Sequence, residues 1–203
     1  MATPRLTDDH FILDGCDKRA LVIVVGMDGS LFGYEDKYLK IAEAANDQYG
    51  YTVFGFRNPA SNWDIRDNGF PSVMRTVSEN MAEGYEVSYF GFSAGASFAM
   101  FHAWEFPQIK RMLLVNPPLM VNTPKALKGI KAFDGESTLI IGERDQSITL
   151  GRLIERDQKT SGFSRVIIFP KADHRFTGMI AEFISLPFTY LFSEEEKVYV
   201  PSV

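Results

Sequence analysis

The sharpest chemical signal in the chain is the pentapeptide Gly91-Phe92-Ser93-Ala94-Gly95. An apolar, strand-forming run (87–92) precedes it, and an almost wholly apolar helical stretch (94–106) follows. A serine at a strand-to-helix turn needs small neighbours, and Gly91 and Gly95 allow the backbone to turn sharply against adjacent strands. Such a turn lifts the hydroxyl clear of the sheet. It also aims the helix N-terminus at negative charge developing on a reacting group. A bare G-x-S-x-G string recurs by chance in turns rich in Gly and Ser, so its weight comes from lying between a strand and a helix.

A hydroxyl is a weak nucleophile without a base, and the chain offers three histidines. His102 lies nine residues beyond Ser93 on the same predicted helix, roughly 13 Å along its axis, out of reach. His10 precedes the first clear strand and is expected at the surface. His174, in Lys171-Ala172-Asp173-His174-Arg175-Phe176, follows the last strand and precedes the final helix, which puts it on a loop at the same sheet edge as Ser93. A third group must hold the imidazole in one tautomer. Thr138-Leu139-Ile140-Ile141 leads into Gly142-Glu143-Arg144-Asp145, which sets a carboxylate just past a strand end. Asp145 is preferred to Glu143 because it lies two residues further out and has the shorter arm. It is preferred to Asp173 because adjacent side chains in an extended loop diverge.

The elements that must position these groups alternate. Leu21-Val22-Ile23-Val24-Val25 is a continuous apolar run, as expected of a strand buried on both faces of a parallel sheet. Residues 51–56, 87–92, 112–115, 138–141 and 166–169 have the same character. Tyr38, Ile41, Ala42, Ala45 and Tyr49 repeat with helical spacing and stop at Gly50. Val73, Val77 and Met81 repeat likewise, with Gly84 as the expected stop. This alternation predicts a single α/β domain over residues 1–203: a doubly wound, mostly parallel sheet with helices on both faces. The longest irregular stretches, 57–69 and 116–124, both follow strands and belong at the carboxyl edge, where open α/β sheets bind ligands. The acidic stretch from Ser193 is expected to be a solvated end.

Taken together, the glycine-flanked serine, the Gly142-Glu143-Arg144-Asp145 strand end and the Asp173-His174 loop resemble the α/β-hydrolase family. They do so in the chain order Ser93, Asp145, His174, and the resemblance covers nearly the whole chain, from about residue 21 to 192. It implies acyl transfer to water: Ser93 attacks the carbonyl, His174 shuttles the proton, and Asp145 orients His174. It also implies an oxyanion hole of two backbone N–H groups. One is that of Ala94; the other comes from Gly26-Met27-Asp28-Gly29-Ser30, by alignment Asp28, with Met27 as the alternative. Here the chain departs from the family, since many members carry His-Gly where Gly26-Met27 stands. A carboxylate at position 28 must also point away from an oxyanion. A second departure is the interval from Asn116 to the strand ending near Gly142. It holds only about twenty residues, half of them a short predicted helix (124–131), too few for a folded cap. The resemblance is thus to a small, capless, esterase-like member with an open pocket walled by Phe32, Trp63 and Leu119. Arg57 either meets an acidic substrate group or is an ordinary surface arginine.

Composition narrows the rest. In 203 residues there are 45% hydrophobic and 23% charged residues, 16 Gly and 10 Pro, which excludes disordered, collagen-like and coiled-coil chains. A net charge of −5 leaves no broad basic footprint for nucleic acid or anionic lipid. The single cysteine, Cys16, rules out an intrachain disulfide and a zinc knuckle. The longest strongly apolar run, 20–25, is far short of a membrane span. Residues 1–10 have no apolar core of a signal peptide, so a cytoplasmic location is expected. The chemistry calls for no cofactor or metal, and for a small-molecule acyl substrate as the only partner; the oligomeric state is left open. Gly26, Gly29 and Gly33 lack the G-x-G-x-x-G spacing of a dinucleotide site. Two competitors to a hydrolase stand: a non-catalytic binding module on the same fold, and a lyase or acyltransferase using the same three residues.

Overall fold

A computed structural model describes residues 3–58, 69–193 and 196–197. Eight strands form one sheet: β1 (Arg5–Leu6), β2 (His10–Leu13), β3 (Cys16–Val24), β4 (Tyr51–Phe56), β5 (Glu86–Phe92), β6 (Ile109–Val115), β7 (Glu136–Gly142) and β8 (Arg165–Phe169). Their spatial order is β1-β2-β4-β3-β5-β6-β7-β8. From β4 to β8 every pairing is parallel, whereas β1 and β2 add antiparallel to the β4 edge. The helices are α1 (Lys37–Tyr49), α2 (Phe70–Glu79), α3 (Ala94–His102), α4 (Thr123–Ala132), α5 (Ile148–Arg156), α6 (Gln158–Ser161) and α7 (Ile180–Tyr190). The sheet is doubly wound and mostly parallel, as the alternation predicts.

The core divides into two layers because strand side chains alternate between faces. Val22 and Val24 of β3 face α2 to α5, with Phe70, Val77, Ala96, Ile130 and Ile154. Leu21, Ile23 and the following Val25 face α1 and α7, with Tyr38, Ile41 and Phe183. All five side chains from 21 to 25 are at most 1% exposed, each contributing about 1.5–3 kcal/mol of burial. The strand order reverses at β3, between β4 and β5, and it is at the carboxyl ends beside such a reversal that open α/β sheets bind ligands.

Several boundaries differ from expectation. His10 opens β2, pairs in register with Phe56 and bonds Thr7 through its Nδ1 at 3.0 Å, so it belongs to the sheet instead of preceding it. Helix α2 ends at Glu79, well before Gly84, because the Asn80 amide takes the Thr76 carbonyl at 2.9 Å and closes the last turn. Helix α3 ends at His102, and residues 103–105 continue as a 3₁₀ turn. Nor is the tail wholly solvated. Glu196 pairs with the Arg111 guanidinium, accepts from Ser193 N–H at 2.8 Å and holds the tail against β6. No helix among the described residues is long and apolar enough to cross a membrane.

Candidate active site

Ser93 sits between β5 and α3 with φ 53° and ψ −119°, a strained conformation for a residue with a side chain. Its neighbours show why this turn requires glycine. A Cβ on Gly91 would stand 2.7 Å from the Ala96 Cα, and one on Gly95 would stand 2.2 Å from the Val24 carbonyl oxygen. The Ser93 N–H donates to Val115 O at 2.8 Å, tying the turn to the end of β6. Behind it, all nine residues of α3 are buried, so the helix cannot shift to relieve the turn.

The three residues named from the sequence converge. His174 Nε2 lies 3.0 Å from Ser93 Oγ, and His174 Nδ1 lies 2.5 Å from Asp145 Oδ2. The Asp145 side chain is fully buried, whereas that of His174 is about one-third exposed. Asp145 Oδ1 accepts the Ser147 N–H at 2.6 Å, so both carboxylate oxygens are engaged. Beneath the imidazole, the Phe92 ring lies 5.5 Å from it. The two rejected carboxylates instead hold backbone N–H groups of the histidine loop. Glu143 accepts the Lys171 N–H at 2.9 Å, and Asp173 Oδ1 accepts the Arg175 and Thr177 N–H groups at 3.0 and 2.9 Å. His102 is buried on α3 and bonds Glu105 through Nδ1 at 3.0 Å, away from Ser93.

The loop after β3 comes up against the nucleophile. A Cβ on Gly26 would stand 3.1 Å from the Ser93 Cβ, and Gly29 N–H closes a tight turn on Gly26 O at 3.1 Å. Met27 and Asp28 form the middle of that turn, Asp28 with φ 55° and an exposed side chain. Ala94 is the first residue of α3, where helical N–H groups have no intrahelical acceptor.

The expected pocket walls fare unevenly. Phe32 is half-buried, its ring 5.6 Å from that of Phe11. Arg57 follows β4 with an exposed side chain, its N–H on Asp9 O. Trp63 lies outside the described residues. Leu119 is a correction: it is 2% exposed and packs in the core, because Ser147 Oγ accepts its N–H at 3.1 Å and turns the loop inward. The adjacent Met120, not singled out in the sequence, is 73% exposed instead.

Two further residues escaped the sequence reading. Lys37, at the start of α1, is 5% exposed, with its ammonium 4.0, 4.7 and 5.2 Å from the ring centres of Phe183, Phe92 and Tyr38. Burial, with a smaller push from Arg175, lowers its pKa to about 8. Asn116, at the end of β6, is fully buried with φ 47°. Neither has a local sequence signal, since each depends on contacts from distant elements.

No family model matches the sequence, and no curated protein is significantly similar to it. Solved structures, however, superpose over most of the chain. Est1E from Butyrivibrio proteoclasticus matches with a TM-score of 0.69 at 11% identity, covering 87% of this chain and 89% of that one. The esterase Pf2001 from Pyrococcus furiosus matches with a TM-score of 0.67 at 15% identity, covering 89% and 84%. A protein from Agrobacterium tumefaciens, described as of unknown function and a candidate α/β hydrolase, matches with a TM-score of 0.72 at 13% identity, covering 93% and 94%. At such identities the likeness is one of fold, and with the strand order and parallel pairing it leads to one conclusion: this chain has the α/β-hydrolase fold.

Proposed function

We propose that the chain is a serine hydrolase that cleaves small carboxylic esters or thioesters through an acyl-enzyme on Ser93. One observation carries this reading: a continuous hydrogen-bonded line from Ser93 Oγ through His174 to a fully buried Asp145, at 3.0 and 2.5 Å. The esterases among the structural neighbours support the reaction class.

Each step follows from that line. His174 Nε2 takes the proton as Ser93 Oγ attacks the acyl carbon. With Oδ1 held by the Ser147 N–H, Asp145 offers Oδ2 to Nδ1–H and keeps Nε2 free to accept. Charge on the tetrahedral oxygen is met by the Ala94 N–H and by the N–H of Asp28 or Met27, at the positive end of α3. The exposed Asp28 side chain fits a carboxylate directed away from that oxygen. The imidazolium then protonates the leaving alcohol or thiol. Water, deprotonated in turn by His174, releases the acid and restores Ser93.

Only α4 and short loops lie between β6 and β7, so an open site suited to short acyl groups is part of the proposal. The test is hydrolysis of p-nitrophenyl acetate and butyrate by the wild-type protein and by Ser93→Ala. Turnover by the wild type and none by the variant is expected. No turnover by either would favour the binding-module reading, and equal turnover would remove Ser93 from the mechanism.

A further inference from the structure

Asn116 is a fully buried polar side chain whose amide oxygen and nitrogen are both hydrogen-bonded. Its Oδ1 accepts the Gly142 N–H at 2.7 Å, and its Nδ2 donates to the carbonyls of Asp173 and His174 at 3.2 and 3.0 Å. The chemistry fixes which end of the amide is which, because an N–H faces one side and two carbonyl oxygens face the other. Its own N–H donates to Ile140 O at 2.8 Å, and the preceding carbonyl, Val115 O, accepts the Ser93 N–H. One residue thus meets all three parts of the site: the serine turn through Val115, the acid turn through Gly142, and the histidine loop through the carbonyl of His174 itself.

The histidine loop needs such a clamp. It carries left-handed residues at Lys171 (φ 62°) and Phe176 (φ 56°), and it crosses the end of β7 closely enough that a Cβ on Gly142 would stand 2.5 Å from Ala172 O. The Arg144 N–H binds Ala172 O at 2.9 Å on one side. Asn116 binds the next two carbonyls on the other. Together with the Glu143 and Asp173 carboxylates on the Lys171, Arg175 and Thr177 N–H groups, these contacts set where the imidazole stands.

We propose that Asn116 is a positioning residue: its amide fixes the His174 backbone against the Asp145 turn, so that Nδ1 and Nε2 meet Asp145 and Ser93 together. This rests on the serine hydrolase reading for its kinetic consequence, although not for its structural one. A displacement of about 1 Å in a catalytic group can cost about 10²-fold in rate. Losing the clamp should therefore lower kcat by roughly 10- to 100-fold, with KM little changed.

Two variants separate the amide from the backbone. Asn116→Gly removes the side chain and suits the positive φ. Asn116→Asp keeps the shape and the acceptor for Gly142 N–H but turns an oxygen toward two carbonyls. Two readouts are taken on each folded variant: kcat and KM for p-nitrophenyl acetate, and the far-downfield NMR resonance of the His174 Nδ1 proton in its bond to Asp145. Loss of that resonance in both variants is the expected result, with Asn116→Gly still unfolding cooperatively at a midpoint lowered by the three backbone groups left without a partner. A kcat fall at constant KM should accompany it. An unchanged resonance and kcat in Asn116→Gly would overturn the inference. Should the wild type fail to hydrolyse esters, loss of the resonance would still support positioning by Asn116, while the hydrolase reading would fall.

Discussion

Replacing Asp145 by Asn is the perturbation whose outcome the geometry constrains most tightly. The substitution keeps volume and planarity inside a fully buried site, so the fold should survive. What changes is the donor and acceptor pattern. The Ser147 N–H approaches Oδ1 at 2.6 Å and must have an acceptor, so the new amide places its oxygen there. Its NH₂ then faces His174 Nδ1, which must accept, and the imidazole proton moves to Nε2. In that tautomer Nε2 can donate to Ser93 Oγ but cannot take its proton. The expected fall in kcat is on the order of 10²–10⁴, the upper figure being that of the best-studied triad. KM should move little, because a fully buried side chain does not touch substrate. Steady-state hydrolysis of p-nitrophenyl acetate is sufficient assay. Glu143→Gln and Asp173→Asn serve as controls and should each lose less than about tenfold, since both carboxylates hold loop N–H groups instead of the imidazole. An Asp145→Asn protein within tenfold of wild type would refute the tautomer argument, and a collapse in Glu143→Gln would transfer the role.

Three further outcomes follow from the structure. Across p-nitrophenyl esters from acetyl to dodecanoyl, kcat/KM should be highest for short acyl groups; a steady rise with chain length would contradict the open site. Lys37→Met should stabilise the protein at pH 7, because both states carry the charge there and burial, which holds the folded pKa at about 8 instead of 10.5, makes it costlier in the folded one. That difference amounts to at most about 3 kcal/mol against the folded charged form, part of it returned by the three ring faces. Its sign requires the advantage of Lys37→Met to shrink as pH rises from 8 toward 10.5, and thermal midpoints that diverge instead would refute it. Glu196→Gln should lose about 1–3 kcal/mol by leaving Arg111 without its carboxylate, an outcome read from denaturant midpoints. Burial pushes the Glu196 carboxyl up, but Arg111 and the Ser193 N–H hold it below the ordinary value of 4.5. The gap between wild type and variant should therefore close on acidification, and a gap that persists at low pH would count against the pair.

The parallel strands are legible in the sequence because a strand buried on both faces must be apolar throughout, as Leu21 to Val25 are. The convergence of Ser93, Asp145 and His174 is legible for a related reason: each follows a strand, and parallel strands bring their carboxyl ends to one edge. The short antiparallel strands β1 and β2 carry no comparable pattern. They form because the β4 edge offers partners, a fact visible only in three dimensions. Helix α2 stops where an Asn80 amide captures a carbonyl, not at the glycine that punctuates the sequence. Leu119 and Met120 are adjacent and both apolar, and the bonds that Ser147 and Thr123 make to the Leu119 backbone hold the loop in which Leu119 turns inward. Asn116 is hidden for the deepest reason: a polar residue before two prolines resembles any loop start, and its meaning comes from Gly142, Asp173 and His174, far along the chain.

The central claim is that Ser93 is a nucleophile activated by His174, and the mass of the intact protein after treatment with a fluorophosphonate tests it most directly. A single phosphonyl adduct per chain is expected in the wild type, none in Ser93→Ala, and labelling slowed by orders of magnitude in His174→Ala. An adduct that persists in Ser93→Ala, or a wild-type protein that stays unlabelled under conditions in which a known serine esterase is fully modified, would contradict it.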